Sequence, residues 1–462
     1  MTGFEMTRYD AIIVGAGQAG PSLAVKLGAA GRKVAIIERH LVGGTCVNTG
    51  CTPTKAMVAS AYAAHLAGRA GEYGVDVGSV AVDMARVSAR ANMIAGNSRR
   101  SNEEWLDGAD NVTLLRGHAR FESPNTLRLS DELLTAPEIF LNVGGRASVP
   151  DFPGVEAIDY LTNSTILKMD HLPERLVVIG GSYIGLEFAQ IFRRFGAEVV
   201  VVEKGERIVS REDPEISAAI QQILEEDGVR FRLDAECISF EKRGNDIAAR
   251  VTCASGEPDE IGTHVLLAVG RRPNTDDLGL DKAGITTDER GYIKVDDELK
   301  TSVPGVWALG DCNGRGAFTH TSYNDFEIVA ANLLDGDTRR LSDRFPVYGL
   351  YTDPPLGRVG MSEAQAKASG KPYKVASLPM ARVGRAKEKG ETKGLMKVVV
   401  DAQTDAILGA AILGVGGDEA VHGLLYAMQG KVSADTIART TPIHPTVAEF
   451  FPTLMGSLKA PD

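Results

Sequence analysis

The sequence predicts an α/β protein built from two copies of one plan, followed by a separate α+β unit. Three observations predict it. YDAIIVGAGQAG is an apolar strand running into glycines; the pattern returns at RLVVIGGSYIGLEFAQ; and beyond about residue 340 it stops, giving way to alternating strands. In the first copy the strand Ala11–Val14 leads through the glycines to a helical run, SLAVKLGAAG, and a second strand, KVAIIE. In the second, an amphipathic helix leads to AEVVVVE. Gly15 precedes Glu38 by 23 residues and Gly180 precedes Glu203 by the same interval, so the chain contains an internal repeat.

Composition bounds what such a protein does. A chain of 462 residues is too long for one ordinary core, and 51 glycines fit many tight turns and close backbone approaches. A net charge of −11 argues against nucleic acid or an anionic membrane, either of which wants a basic face; small molecules are the expected ligands. No leader pattern opens the chain and no apolar run reaches the roughly 18 residues of a membrane span, so a soluble, cytoplasmic protein is expected.

Each glycine turn follows a strand and opens a helix. Gly15, Gly17 and Gly20 let backbone approach a pyrophosphate at the helix N-terminus, and Glu38, closing the next strand, is placed to accept from a ribose hydroxyl. The second copy offers Gly180, Ser182 and Gly185, with Ser182 replacing the middle glycine. Its acid, Glu203, suits a free 2′-hydroxyl and repels a 2′-phosphate, which favours NADH over NADPH, although Lys204 and Arg207 stand nearby. Two Rossmann-like units in one chain imply two nucleotides, FAD with NAD(P)H.

The phrase IFLNVGGRASVPDFPG, containing Gly144, marks the boundary between the two units. HVLLAVGRRPNTD, with Gly270, parallels it, and TSVPGVWALGD ends at Asp311. Near the C-terminus GLMKVVVDAQTDAILGAAILG reads as a β-hairpin turning at 401–405, with a helix at EAVHGLLYAMQG.

The five cysteines are too few and too odd in number for a disulfide scaffold, yet Cys46 and Cys51 stand close together in GGTCVNTGCTPTKAM. A structural zinc would want further Cys or His nearby, which this stretch lacks; no resident metal site is expected. Residues five apart on a regular helix lie about 7.5 Å apart along the axis, whereas a disulfide needs Cα atoms within about 7 Å. A bond between them requires a deformed turn, which Gly50 and Pro53 would permit, and a strained pair near a helix N-terminus has the character of a redox couple. Cys237, Cys253 and Cys312 read as packing residues.

GGTCVNTGCTPTK resembles the redox-active disulfide of the pyridine nucleotide-disulfide oxidoreductases, the flavoproteins that include glutathione reductase, dihydrolipoamide dehydrogenase and mercuric reductase. The resemblance spans nearly the whole chain, from the first glycine turn to HPTVAE. It implies an FAD-binding domain over 1–150 with a return segment over 271–340, an NAD(P)-binding domain over 151–270, and a dimerisation domain over 341–462. Gly44 and Thr45 join the expected cofactor contacts, and Asp311 matches the acid that binds the ribityl chain. Cys46 matches the cysteine that attacks substrate, Cys51 the one lying against the flavin, Lys55 and Glu187 a buried pair beside the flavin, and Tyr183 an aromatic gate. His444 matches an acid/base that reaches the partner subunit's Cys46, oriented by Glu449, so a homodimer is implied. In the implied cycle a hydride passes from nicotinamide to FAD, two electrons open the disulfide through Cys51, and Cys46 attacks the acceptor.

The wording of TPTK and FTHTSYNDFE is most similar to the mercuric-reductase-like branch, yet the ending SLKAPD carries no cysteine pair, so mercury handling by the usual route is not expected. A small disulfide or a thiophilic metal ion is the expected acceptor. Dihydrolipoamide dehydrogenase, a glutathione-type reductase, and a diaphorase or oxidase with silent cysteines are the alternatives.

Overall fold

The computed structural model describes residues 6–252 and 258–461, without the side chains of Cys237 and Thr252; the packing expected of Cys237 and Cys253 therefore lies outside the described residues. Ala11–Val14 is buried at every position, as a parallel strand covered on both faces must be. It pairs in parallel with Val34–Glu38 on one side and Glu138–Leu141 on the other, and Val112–Arg116 and Val306–Ala308 complete a five-stranded sheet. The chain thus leaves this sheet after residue 141 and returns to it at Val306.

What lies between is the second copy. Arg175–Ile179 pairs in parallel with Glu198–Val202 and His264–Leu267, flanked by Arg230–Arg232 and Tyr160–Leu161. In each copy the residue before the first glycine sits opposite the residue before the acid: Val14 faces Ile37, and Ile179 faces Val202. The third unit is a five-stranded antiparallel sheet in the order Val347–Leu350, Leu356–Gly360, Ile407–Leu413, Leu395–Asp401, Tyr373–Pro379. Helix Gly417–Gln429 packs on it through Val421, Leu424 and Met428. The architecture is therefore two α/β units of one plan and a C-terminal α+β unit.

The units meet along helix Tyr183–Phe195 of the second copy. Its residues Glu187, Gln190 and Arg194 fall on one helical face and all bond the segment 351–353 of the third unit. Among the described residues no helix is long and apolar enough to cross a membrane.

Candidate active site

The two acids hold identical posts in the two copies. Glu38 accepts the Ala16 N–H at 2.9 Å and the His40 N–H at 2.7 Å; Glu203 accepts the Gly181 N–H at 2.6 Å and the Gly205 N–H at 2.9 Å. Each carboxylate thus ties the glycine turn to the end of the next strand and keeps lone pairs for a ribose hydroxyl. Gly15 and Gly180 have φ +103° and +112°, and a Cβ at either would strike a backbone oxygen of the neighbouring strand, at 2.3 and 2.5 Å.

The two middle positions differ for a packing reason. A Cβ at Gly17 would lie 3.0 Å from Asn142 Oδ1, which accepts the Gly20 N–H at 3.1 Å. In the second copy Ala268 occupies the post that Asn142 holds in the first, so no such side chain confronts Ser182, whose backbone is extended at φ −110°. Gly20 and Gly185, expected to touch cofactor, do not line the cavity; each lets its helix start against the preceding turn, where a Cβ would meet a carbonyl oxygen at 2.3 and 2.0 Å.

One cavity of about 1580 Å³ takes in both glycine turns, Glu38, Glu203, Gly44, Thr45, Cys46, Cys51, Lys55, Gly144, Tyr183, Gly270 and Asp311. That exceeds the upper size of about 1,000 Å³ for a drug-sized ligand site. At Gly144 and Gly270 a Cβ would meet no protein atom within 4 Å, so bare backbone faces the open cavity. The cavity and its donors fit two dinucleotides.

The cysteine segment is tied to the first turn, since Gly43 N–H donates to the Ala16 carbonyl and Gly44 passes so near Gly17 that a Cβ would lie 2.9 Å from its Cα. The helix expected to carry both cysteines is broken: Gly44–Thr49 ends, Gly50 turns the chain at φ −142°, ψ −120°, and Cys51–Gly68 begins anew. A Cβ at Gly50 would press against the Thr45 carbonyl at 2.8 Å. Cys46 therefore lies in one helix and Cys51 opens another, whose dipole favours a thiolate.

The pair is present as two thiols, not bridged, and the two are unequal. The hydrogen bond from Cys46 draws Cys51 down to about 6, helped by the Thr319 hydroxyl at 3.2 Å and the Lys55 charge, against the opposing effect of burial. Donating that bond, together with burial, pushes Cys46 far up. The inward and outward placement expected of the two does not follow from exposure, because Cys46 is half-buried while Cys51 is exposed, and the surface Cys51 exposes lines the cavity.

Lys55 Nζ pairs with Glu187 Oε2 at 2.7 Å and sits over the ring of Tyr351, and the Tyr351 backbone N–H donates to Glu187 Oε1 at 3.0 Å. Tyr183 opens its helix on the cavity wall, edge-on to Phe318 and Tyr348. Burial raises the Asp311 carboxyl while Arg271, 3.5 Å away, opposes this. Arg271 also reaches Thr45 Oγ1 and the Gly145 carbonyl.

His444 Nδ1 lies 2.8 Å from Glu449 Oε2, but neither residue lines this chain's cavity, and the His444 side chain is 78% exposed. Cys312 is fully buried with its thiol toward the Leu141 and Leu309 carbonyls, a packing residue as expected. Among the described residues no group of three or more His, Cys, Asp or Glu assembles as a metal site.

Sequence reasoning missed Asn142, Thr319, Arg271 and Tyr351. A polar residue closing the apolar strand of IFLNVGG was the available signal for Asn142. Thr319 carried none, because nothing local links it to a cysteine 268 residues away.

Comparison with known proteins agrees with this geometry. The family model for pyridine nucleotide-disulphide oxidoreductases matches residues 9–325, and the model for that family's dimerisation domain matches 347–455. The chain is 34% identical to the probable pyridine nucleotide-disulfide oxidoreductase RclA of Escherichia coli K12, over 98% of this chain and 100% of the relative. It is 32% identical to a mercuric reductase of Streptomyces lividans, over 96% and 94%, and 34% identical to a dihydrolipoamide dehydrogenase of Chaetomium thermophilum, over 96% and 89%. The solved Cu(II) complex of the HOCl-induced flavoprotein disulfide reductase RclA from Escherichia coli superposes with a TM-score of 0.89 at 33% identity, covering 98% of this chain and 99% of that one. The chain belongs to the class I pyridine nucleotide-disulfide oxidoreductases, flavin enzymes that work with FAD and a pyridine nucleotide.

Proposed function

We propose that this enzyme passes electrons from NADH, through a Cys46–Cys51 redox couple, to a small disulfide or a thiophilic metal ion. The observation that carries the reading is the broken helix, which sets two unequal thiols beside Lys55 and Thr319 in the cavity shared by both glycine turns.

FAD, when bound, supplies acceptance of hydride from the reduced nicotinamide and delivery of an electron pair to the disulfide. Gly15, Gly17 and Glu38, with Gly44, Thr45, Gly144 and Asp311, would hold it; Gly180, Ser182, Glu203 and Gly270 would hold the nicotinamide nucleotide. The rest falls to side chains. Cys46, held protonated, needs a base to attack, and in a homodimer the partner subunit's His444, steered by Glu449, is the imidazole available for that task. Attack by the Cys46 sulfur on an acceptor disulfide forms a mixed disulfide and expels one thiolate, which takes the proton back from that imidazole. The Cys51 thiolate then attacks Cys46, expelling the second thiolate, which takes a proton from solvent, and leaving the Cys46–Cys51 bond to be reduced again.

The relative solved with Cu(II) makes that ion a natural member of the acceptor panel. Assaying the holoenzyme with NADH against lipoamide, glutathione disulfide, other small disulfides, Hg(II) and Cu(II) tests the reading. At least one acceptor is expected to lose turnover in Cys46→Ser. Full retention of every activity in that variant would identify a diaphorase instead. Equal-concentration assays with NADH and NADPH test the role of Glu203, and a large preference for NADPH would overturn it.

A further inference from the structure

Behind Tyr183 lies a carboxylate that no cofactor contact explains. Glu212 is fully buried, between strand Glu198–Val202 and helix Pro214–Glu226, and is absent from the cavity wall. Its Oε2 takes two bonds from Arg358, at 3.0 and 2.5 Å, and Arg358 is itself buried on strand Leu356–Gly360 of the dimerisation unit. Its Oε1 takes two phenols, Tyr348 at 2.7 Å and Tyr183 at 3.4 Å. Burial and the carboxylate raise both phenols, so both remain donors across the working pH range.

The two phenols are placed differently. Tyr183 is on the cavity wall, whereas Tyr348 is not; Tyr348 lies flat against Phe318, with Tyr183 edge-on to both. Tyr183 therefore holds the longer bond to an acceptor already satisfied by a shorter one. When its ring swings aside, Oε1 keeps Tyr348 and no buried acceptor is left bare, the situation that makes breaking a buried hydrogen bond expensive.

We propose that Glu212 and Tyr348 are positioning residues that form a latch, setting how readily Tyr183 leaves the cavity and hence how tightly the nicotinamide nucleotide binds. The proposal rests on Tyr183 acting as the gate. Arg358 locks the carboxylate in place, Tyr348 supplies the donor that stays, and Tyr183 supplies the donor that goes. The opening of the dinucleotide site is thereby coupled to the dimerisation unit, which contributes both Tyr348 and Arg358.

The coupling has a signature that ordinary structural damage lacks. In Tyr348→Phe the gate becomes the only phenol on Oε1, so opening strips the carboxylate oxygen; in Tyr183→Phe/Tyr348→Phe there is nothing left to strip. Isothermal titration of the purified holoenzyme variants with NAD+ and NADP+, taking whichever binds the parent more tightly, reads this directly. Tyr348→Phe is expected to bind about tenfold more weakly, the effect of leaving one buried acceptor short of a donor. Tyr183→Phe should bind at least as tightly as the parent, and the double variant should regain parental affinity. Unchanged affinity in Tyr348→Phe, or a loss that persists in the double variant, would overturn the latch. Tyr183→Ala separates the two ideas: if it leaves nucleotide affinity unaltered the gate itself is wrong, and if it changes affinity while Tyr348→Phe does not, only the latch is.

Discussion

Lys55 Nζ lies 2.7 Å from Glu187 Oε2, and this one ion pair joins all three units of the fold. Lys55 comes from the cysteine helix, Glu187 from the second glycine helix, and the other Glu187 oxygen takes the backbone N–H of Tyr351 from the third unit.

The pair is asymmetric, and its two halves differ in what they leave behind. The Glu187 side chain is 6% exposed and that of Lys55 33%. Lys55→Met strands a buried carboxylate, whereas Glu187→Gln strands an ammonium that water still reaches and keeps an acceptor for Tyr351. Lys55→Met is expected to cost more, by about 2 kcal/mol, seen as the lower melting temperature of the two holoenzyme variants.

Thr319 is expected to help hold the Cys51 thiolate. Thr319→Val removes a donor to the Cys51 thiolate and should raise its pKa from about 6 by about one unit. Thr319→Ser should restore it. The pH profile of iodoacetamide alkylation at Cys51 in the reduced holoenzyme, read by mass spectrometry, checks this. The sign is that of a depressed acid: the thiolate is in place well above pH 6 and is lost as the pH falls through that value. A profile that does not move in Thr319→Val would refute the assignment.

His444 and Glu449 are expected to matter only after the flavin is reduced. His444→Ala should leave NADH-driven flavin reduction fast in stopped flow and slow turnover of a disulfide acceptor by roughly 10²- to 10⁴-fold, the range of a lost acid/base. Glu449→Gln, which keeps the contact but loses the charge behind the 2.8 Å bond, should act in the same direction by about tenfold.

The two glycine turns make different predictions for alanine at the middle position. Gly17→Ala places a Cβ 3.0 Å from Asn142 Oδ1 and disturbs its bond to Gly20, so the purified protein should contain less FAD. Ser182→Ala should bind flavin and nucleotide normally. Flavin content is read as the ratio of visible to ultraviolet absorbance of the purified proteins, and an unchanged ratio in Gly17→Ala would refute the packing argument.

The repeat, the paired acids, the cysteine couple and the lysine beside it were legible because each is a local pattern. A strand that alternates or runs apolar, a glycine required at positive φ and an acid closing the next strand all depend on neighbours within one βαβ unit. The break at Gly50 was legible for the same reason, since helix geometry alone forbids the two cysteines from meeting without it.

What only the tertiary structure decided is which distant segments share a site. Thr319 reaches Cys51 across 268 residues, Arg358 reaches Glu212 across 146, and Asn142 braces a turn 122 residues before it. Periodicity reports which face of an element is buried but not which element covers it. The sequence by itself determined two glycine turns, each closed by an acid, and a close cysteine pair. The packing of three units decided that Thr319 stands beside Cys51 and that Tyr183 stands against Glu212, because both contacts join segments that only the folded chain brings together.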